Sequence, residues 1–489
     1  EASVREMLGY PVSTVADILE DPQLAARDYW QKPKASEGDT RLFCGSFVMV
    51  NGKRPAVTAQ GIADDGEIRR LMESLVSGQK NLPAPSPANN DLALDGVKIV
   101  EFGGYAAGPQ IGKNLANFGA TVVHVESFSR PDGFRVEYPP YKDGKPGVNR
   151  AAMFNFFNDS KHGVTLDLKK EEGKELARRL LTWADMVIEN MRPGVMERLG
   201  LGYERMKAVN PGLVMLSTCN MGQTGPRANT PGFGSQLSAL AGFCGLTGFP
   251  EGPPTLLFGP YIDFIASTMG TTAALAGLDS QRRNGTGSWI DLSQYESGLH
   301  FIAGALLEAE TTGNIRARAG NWDAMAAPHN TYHCQGDEWL ALSCWSDGEF
   351  SSLAETMGLT GDQRFSSPVA RRTNAAQLDE LISTWCEGKG SDATAASLQE
   401  AGIHAYPVNT IADLFTDPQL AHFGIWQKRV HSVVGEHHYC NPPFTLSATP
   451  GDILGPAPCL GEHNEIVFKE FLGISDEDYK DLDNLGAFD

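Results

Sequence analysis

No apolar run in the chain approaches the roughly 18 residues that a membrane-spanning helix requires, so no membrane span is expected. Basic charge is scarce too. Lys and Arg number 40 against 60 Asp and Glu, for a net charge of −20. A general nucleic-acid binder needs a basic footprint, and this composition excludes one. The same acidity means that an anionic ligand must be held by a local cationic pocket, against the field of the whole chain. No two of the eight cysteines stand at C-x-x-C spacing, which argues against a zinc ribbon or redox pair and fits reduced thiols in a cytoplasmic protein. No basic n-region leads into an apolar h-region at the start, so no secretory signal is read. The chain opens at Glu1 rather than Met and reads as a processed or trimmed product.

What is present is an ordinary globular composition, 41% hydrophobic and 20% charged, in a chain long enough for two or more domains. Part of it occurs twice. Tyr10-Pro11-Val12-Ser13-Thr14-Val15-Ala16-Asp17 returns as Tyr406-Pro407-Val408-Asn409-Thr410-Ile411-Ala412-Asp413. Asp21-Pro22-Gln23-Leu24-Ala25 and Trp30-Gln31-Lys32 return as Asp417-Pro418-Gln419-Leu420-Ala421 and Trp426-Gln427-Lys428, at one constant offset. A domain-sized period excludes a solenoid. It implies a tandem duplication of which only the tail of the first copy, residues 1–80, is here. The Pro-rich segment 81–92 reads as a linker.

Beyond the linker, strands and helices alternate. Val97 to Phe102 is a strand, 103–109 a turn, 111–118 a helix stopped by Gly119, and 120–126 a second strand ending at Glu126. This is a βαβ unit of the doubly wound type, although its first loop is not a full G-x-G-x-x-G. A helix over 173–183 and strands over 185–189 and 213–217 continue the pattern, so a mostly parallel sheet covered on both faces is expected. From about residue 319 short aromatic-rich strands precede helices, as in a smaller α+β domain. The layout expected is a large Rossmann-like domain over 93–318, a small domain over 319–405 and a return segment over 406–489.

The ordered motifs resemble the class III (CaiB/BaiF) coenzyme A transferases from Leu94 to Val467. They are Leu94-Asp95-Gly96-Val97, Ala107-Gly108-Pro109, Leu166-Asp167-Leu168, Glu189-Asn190-Met191-Arg192-Pro193-Gly194, Leu199-Gly200, Gly225-Pro226, Gly252-Pro253-Pro254, Asp263 and the terminal Leu460-Gly461-Glu462-His463. The resemblance implies an α/β fold with two interlocked units, acyl-CoA and a small carboxylic acid as substrates, and coenzyme A as the moiety carried, without metal. A tandem protein supplies both links from one polypeptide, so an interlocked dimer, or a pseudo-dimer with a missing N-terminal copy, is expected.

Asp263 matches the family's catalytic aspartate, at the head of an apolar helix with Ile265, Met269, Thr272 and Leu275. Its carboxylate would carry CoA as an aspartyl-CoA thioester; as a residue type alone, it would read as a helix N-cap. Tyr105, Ala106 and Ala107 match the loop beside the CoA, or form a tight packed turn. Ala106 departs from the glutamine of formyl-CoA transferase-like members. Asn190, Met191 and Arg198 match positions that hold the pantetheine and phosphates, Leu166 a position near the adenine, and Arg227 a phosphate-binding lysine. Arg130 or Arg135 substitutes for an arginine that relatives carry where this chain has Ser127. His329 and His333 stand four apart, but Pro328 and the strand-like Thr331-Tyr332 argue against a metal pair.

Three functions follow. The first is CoA transfer, from acetyl-CoA as the expected donor. The tandem layout resembles two-copy members acting on dimethylsulfoniopropionate, with elimination of dimethyl sulfide and an aromatic pocket drawn from Tyr105, Phe258, Tyr261 and Trp322. The second is an α-methylacyl-CoA racemase, which needs a His/Asp pair; the histidine position carries Phe233. The third is an inactive scaffolding half.

Overall fold

The computed structural model describes residues 8–32, 42–56, 64–79 and 92–489. Apart from Leu92, the expected linker lies outside the described residues.

The main sheet is built from apolar runs that are buried along nearly their whole length, as strands covered on both faces must be. In chain order its strands are β1 (Val48–Val50), β2 (Lys98–Phe102), β3 (Thr121–Glu126), β4 (His162–Thr165), β5 (Met186–Glu189), β6 (Val214–Cys219) and β7 (Trp289–Ser293). Their spatial order is β1-β7-β6-β5-β2-β3-β4. All pairs are parallel except β1 with β7. Successive residues alternate between two core layers. Val100 and Val123 pack with Leu176, Leu180 and Leu181 on one face. Ile99 and Val122 pack with Ile111, Leu115 and Ala266 on the other.

Residues 8–32 pack onto this body. Helices α1 (Val15–Leu19) and α2 (Pro22–Ala26) start from Thr14 and Asp21 as N-caps. Their apolar residues Val15, Ile18 and Leu24 are buried. Arg27, fully buried, donates from Nε to Glu296 at 2.6 Å and from Nη1 to Asp291 at 2.8 Å. Gln23 Nε2 donates to the carbonyls of Met221 and Thr224, both at 2.8 Å. Where the repeat recurs, Thr410 and Asp413 form the same cap, and Asp417 again accepts from the N–H two residues on. The surroundings differ: Ile411, Phe415 and Phe423 are exposed. The repeat thus keeps its Thr/Asp hydrogen bonds and its second helix (Pro418–Phe423), the counterpart of α1 is the short 3-10 helix Asp413–Phe415, and only the first occurrence is covered.

The chain divides into two compact units. The smaller comprises Leu246–Thr255 and Ala317–Phe423, so a short segment from within the expected large domain belongs to it. It holds a three-stranded antiparallel sheet of β8 (His329–His333), β9 (Trp339–Ser343) and β10 (His404–Pro407). Its core is Tyr332, Leu340, Leu342, Leu353, Leu378, Ile382 and Leu398. His329 and His333 lie on β8, each in contact with a backbone carbonyl oxygen.

Arg27 neutralises two carboxylates that are themselves buried. Replacing it by Met leaves Asp291 without an ion pair and Glu296 with Arg54 as its remaining cation, and the expected loss is about 3–5 kcal/mol of unfolding free energy, measured by urea denaturation. A loss below about 1 kcal/mol, the range of exposed pairs, would contradict this account of how the tail is anchored.

Candidate active site

The chain leaves β2 toward β3 and β4 on one side and later builds β5, β6 and β7 on the other. The neighbours β2 and β5 therefore mark a topological switch point, where open α/β sheets form a crevice beyond their carboxyl ends. Two loops meet there. Asn190, just after β5, accepts from Gly104 N–H at 3.1 Å and donates to Gly104 C=O at 2.7 Å. This approach requires glycine at 103, which has φ of +130° and whose added Cβ would lie 1.7 Å from Asn190 Oδ1.

The next residue, Tyr105, is held at φ +62°, an uncommon conformation for a side chain of this size. The buried Asp132 carboxylate accepts from its N–H at 3.0 and 3.2 Å. Its hydroxyl donates to Glu137 at 2.8 Å, and its ring meets Phe134, Tyr138 and Phe233 edge-on. Burial pushes Asp132 up to about 6, against the pull of its two backbone donors.

Two cavities open around these loops. The larger, about 730 Å³, is lined by Leu166 and by Arg130, Lys169 and Arg192. None of these three cations makes an ion pair among the described residues; they share the lining with Glu126, Asp132, Glu137 and Asp167, of which Glu126 is paired with Arg135. The smaller, about 320 Å³, holds Asp263, Ala106, Ala107, Asn190, Thr218, Phe233, Gly234 and Gln294. Tyr105, Met191 and Arg192 line both.

Asp263 is the third residue of the helix Tyr261–Asn284, and Pro260 is the N-cap. It is therefore not an N-cap aspartate. It sits in the first turn, where the helix dipole favours a negative charge. The helix buries Ile262, Ile265, Ala266 and Ala273 rather than Thr272 or Leu275, which are exposed. No protein group hydrogen-bonds the Asp263 carboxyl among the described residues, and burial alone raises it to about 7. Facing it is Gly234, the first residue of the helix Gly234–Leu240. A Cβ at Gly234 would lie 2.6 Å from the Asp263 carboxyl carbon, so only glycine leaves the carboxylate its place.

The structure thus places Tyr105, Ala106, Ala107, Asn190, Met191 and Asp263 around one cavity, and Leu166 in the adjoining one. Arg198 and Arg227 line neither. Arg198 is exposed on the helix Val195–Leu199. Arg227 is paired with Asp21 of the tail, and its N–H donates to Gln23. Arg135 is fully buried and paired with Glu126 at 2.7 Å, whereas Arg130 lines the larger cavity. Arg192 was missed as a candidate although it stands within the quoted Asn190-Met191-Arg192 run; Lys169, Thr218, Gln294 and Asp132 carried no motif. Of the proposed aromatic pocket only Tyr105 lines the Asp263 cavity. Phe258 is 93% exposed, Tyr261 packs on Phe243 and Phe301, and Trp322 lines a pocket of the smaller unit.

Known proteins share this arrangement of fold. A CaiB/BaiF family protein from Brucella suis superposes with a TM-score of 0.73 at 31% identity, over 78% of this chain and 100% of its own. The model of CoA-transferase family III matches residues 94–464. The succinyl-CoA–D-citramalate CoA-transferase of Chloroflexus aurantiacus is 36% identical over 391 residues, 79% of this chain and 95% of that protein. A longer protein of Mycobacterium tuberculosis is 26% identical over 98% of this chain, which spans 61% of its length. The fold is therefore that of an enzyme handling CoA thioesters. The chain belongs to CoA-transferase family III.

Gly234→Ala should displace the Asp263 carboxylate and lower CoA-transfer activity by about 10²-fold, the scale of a roughly 1 Å misplacement, with a cooperative melting transition retained. Activity within about twofold of the parent would contradict the placement of Gly234 against Asp263.

Proposed function

We propose that the chain moves CoA from an acyl-CoA donor to a carboxylic acid through a thioester on Asp263. The observation that carries this is a carboxylate in a small cavity, free of protein hydrogen bonds, beside a larger cavity rimmed by unpaired cations. The Asp263 oxygen attacks the donor thioester carbonyl, expelling CoA thiolate and forming a mixed anhydride. The thiolate then attacks the Asp263 carbonyl, giving the aspartyl-CoA thioester and releasing the donor acid. The acceptor carboxylate runs the two steps in reverse. Each step exchanges one activated acyl bond for another, so the bond energy is kept from water. Arg130, Lys169 and Arg192 suit the CoA phosphates, Leu166 the adenine, and the shared wall of Tyr105 and Met191 the pantetheine arm. Phe233 lines the cavity where a racemase needs a proton shuttle, and phenylalanine has no proton to give.

The covered first occurrence of the repeat, the exposed second one and the longer mycobacterial relative support a second family unit preceding this chain in the natural protein. In that reading the segment Tyr406 to Phe423 docks on that unit's large domain as residues 8–32 do here, making a pseudo-dimer. The citramalate relative supports a polar carboxylic acid as acceptor. Among the described residues the aromatic side chains of the smaller cavity are Tyr105 and Phe233, which meet edge to face.

Incubation with succinyl-CoA or acetyl-CoA, followed by hydroxylamine and peptide mass spectrometry, should place a CoA adduct or its hydroxamate on the Asp263 peptide. Asp263→Ala should abolish both adduct and transfer. A folded parent protein that binds CoA and forms no adduct would sink the covalent reading.

The pH profile follows from the raised carboxyl. The nucleophile is the ionised form, so kcat/KM of the free enzyme should climb about tenfold per pH unit below pH 7 and level off above it. A profile flat between pH 5 and about 8 would contradict the desolvated, unpaired state of Asp263.

A further inference from the structure

The polar groups of the smaller cavity are not equally available. Asn190 spends both ends of its amide on Gly104, and Asn220 Nδ2 donates to Gly232 C=O at 2.7 Å. Two buried side chains remain. Thr218, in β6, and Gln294, which opens the helix Gln294–Leu299, are 0% and 5% exposed. Thr218 Oγ1 and Gln294 Oε1 are buried without a hydrogen-bond partner. Buried polar atoms are nearly always paired, so two orphans on one cavity wall point to a ligand that completes them.

The kind of orphan matters. Gln294 Oε1 is an acceptor and needs a donor. The acceptor's carboxylate has no proton to offer at neutral pH, and neither does a sulfonium or a plain acyl chain. An alcohol has one, and its oxygen can in turn accept from the Thr218 hydroxyl. The pantetheine arm also carries N–H donors, but Gln294 and Thr218 line only the smaller cavity and not the larger one.

Resting on the transferase reading above, we propose that this cavity selects acceptor acids bearing a hydroxyl group near the reacting carboxylate, with Gln294 and Thr218 as the residues that read it. A site built to bond a substrate hydroxyl rejects the analogue lacking it far more strongly than an apolar pocket rejects a missing methylene.

The test uses the full-length protein and acids differing by one hydroxyl, malate against succinate and 3-hydroxybutyrate against butyrate. The enzyme is first loaded with CoA on Asp263, verified by mass, and its discharge by each acid is timed. The hydroxylated member of at least one pair should be preferred by about tenfold or more in kcat/KM. In Gln294→Met and Thr218→Val that ratio should fall toward unity; taken within each variant, the ratio cancels any general loss of activity. A parent enzyme without preference overturns the proposal. So does a preference that survives both substitutions, or a Gln294→Met defect confined to loading by the donor, which would assign the amide to pantetheine. If the folded parent never loads, the transferase reading falls and the proposal falls with it.

Discussion

The two hydrogen bonds between the Asn190 side chain and the backbone of Gly104 tie together the loops that leave β2 and β5. Those strands are neighbours because the chain reverses its winding there, and each sends its loop into the same crevice. Once the clasp is closed, the residues flanking it have little choice. Gly103 must be glycine, Tyr105 is turned into its left-handed conformation, and Met191 and Arg192 come to lie on the wall common to both cavities. Glu189, buried at the end of β5, accepts from Met191 N–H at 2.9 Å and fixes the other side of the loop.

Against this rigid frame Asp263 is left unsupported. Most buried carboxylates here are compensated: Glu101 meets Lys161, Glu126 meets Arg135, and Asp291 meets Arg27. Asp263 has only the first turn of its helix. Burial without a partner disfavours its ionised form and makes that form more reactive when present. A structural carboxylate would gain from a nearby donor, and the cavity has room for one. That the fold withholds it fits a group whose partner is a substrate.

Much of this was legible in the sequence. The β2 and β3 strands and the turn between them are local, written in Val97 to Phe102 and Ala120 to Glu126 as mainly apolar runs broken by Lys98, Glu101, Thr121 and His124. The loops around Tyr105 and Asn190 and the position of Asp263 were recognisable through their resemblance to the ordered motifs of the CoA-transferase family. The arginines were harder. Arg192 and Arg198 sit six positions apart on a loop and a short helix, and nothing local says which one turns toward the crevice. Arg227 is claimed by Asp21, which is distant in sequence, and Arg135 by Glu126 within the core. The two orphan groups, Thr218 and Gln294, read as ordinary strand and helix-start residues until the cavity brings them beside Asp263.

The central claim, that the Asp263 carboxylate is itself a reactant, makes a commitment about oxygen atoms. In the anhydride formed with the acceptor, the bridging oxygen comes from the acceptor's carboxylate. When CoA thiolate attacks the acceptor carbonyl, that oxygen leaves on the aspartate. Turnover with an acceptor acid labelled with ¹⁸O in its carboxylate, followed by mass analysis of the digested protein, should therefore show heavy oxygen on the Asp263 peptide and on no other. An unlabelled Asp263 after many turnovers would mean that CoA passes directly between the two acids, and that this carboxylate is only a bystander.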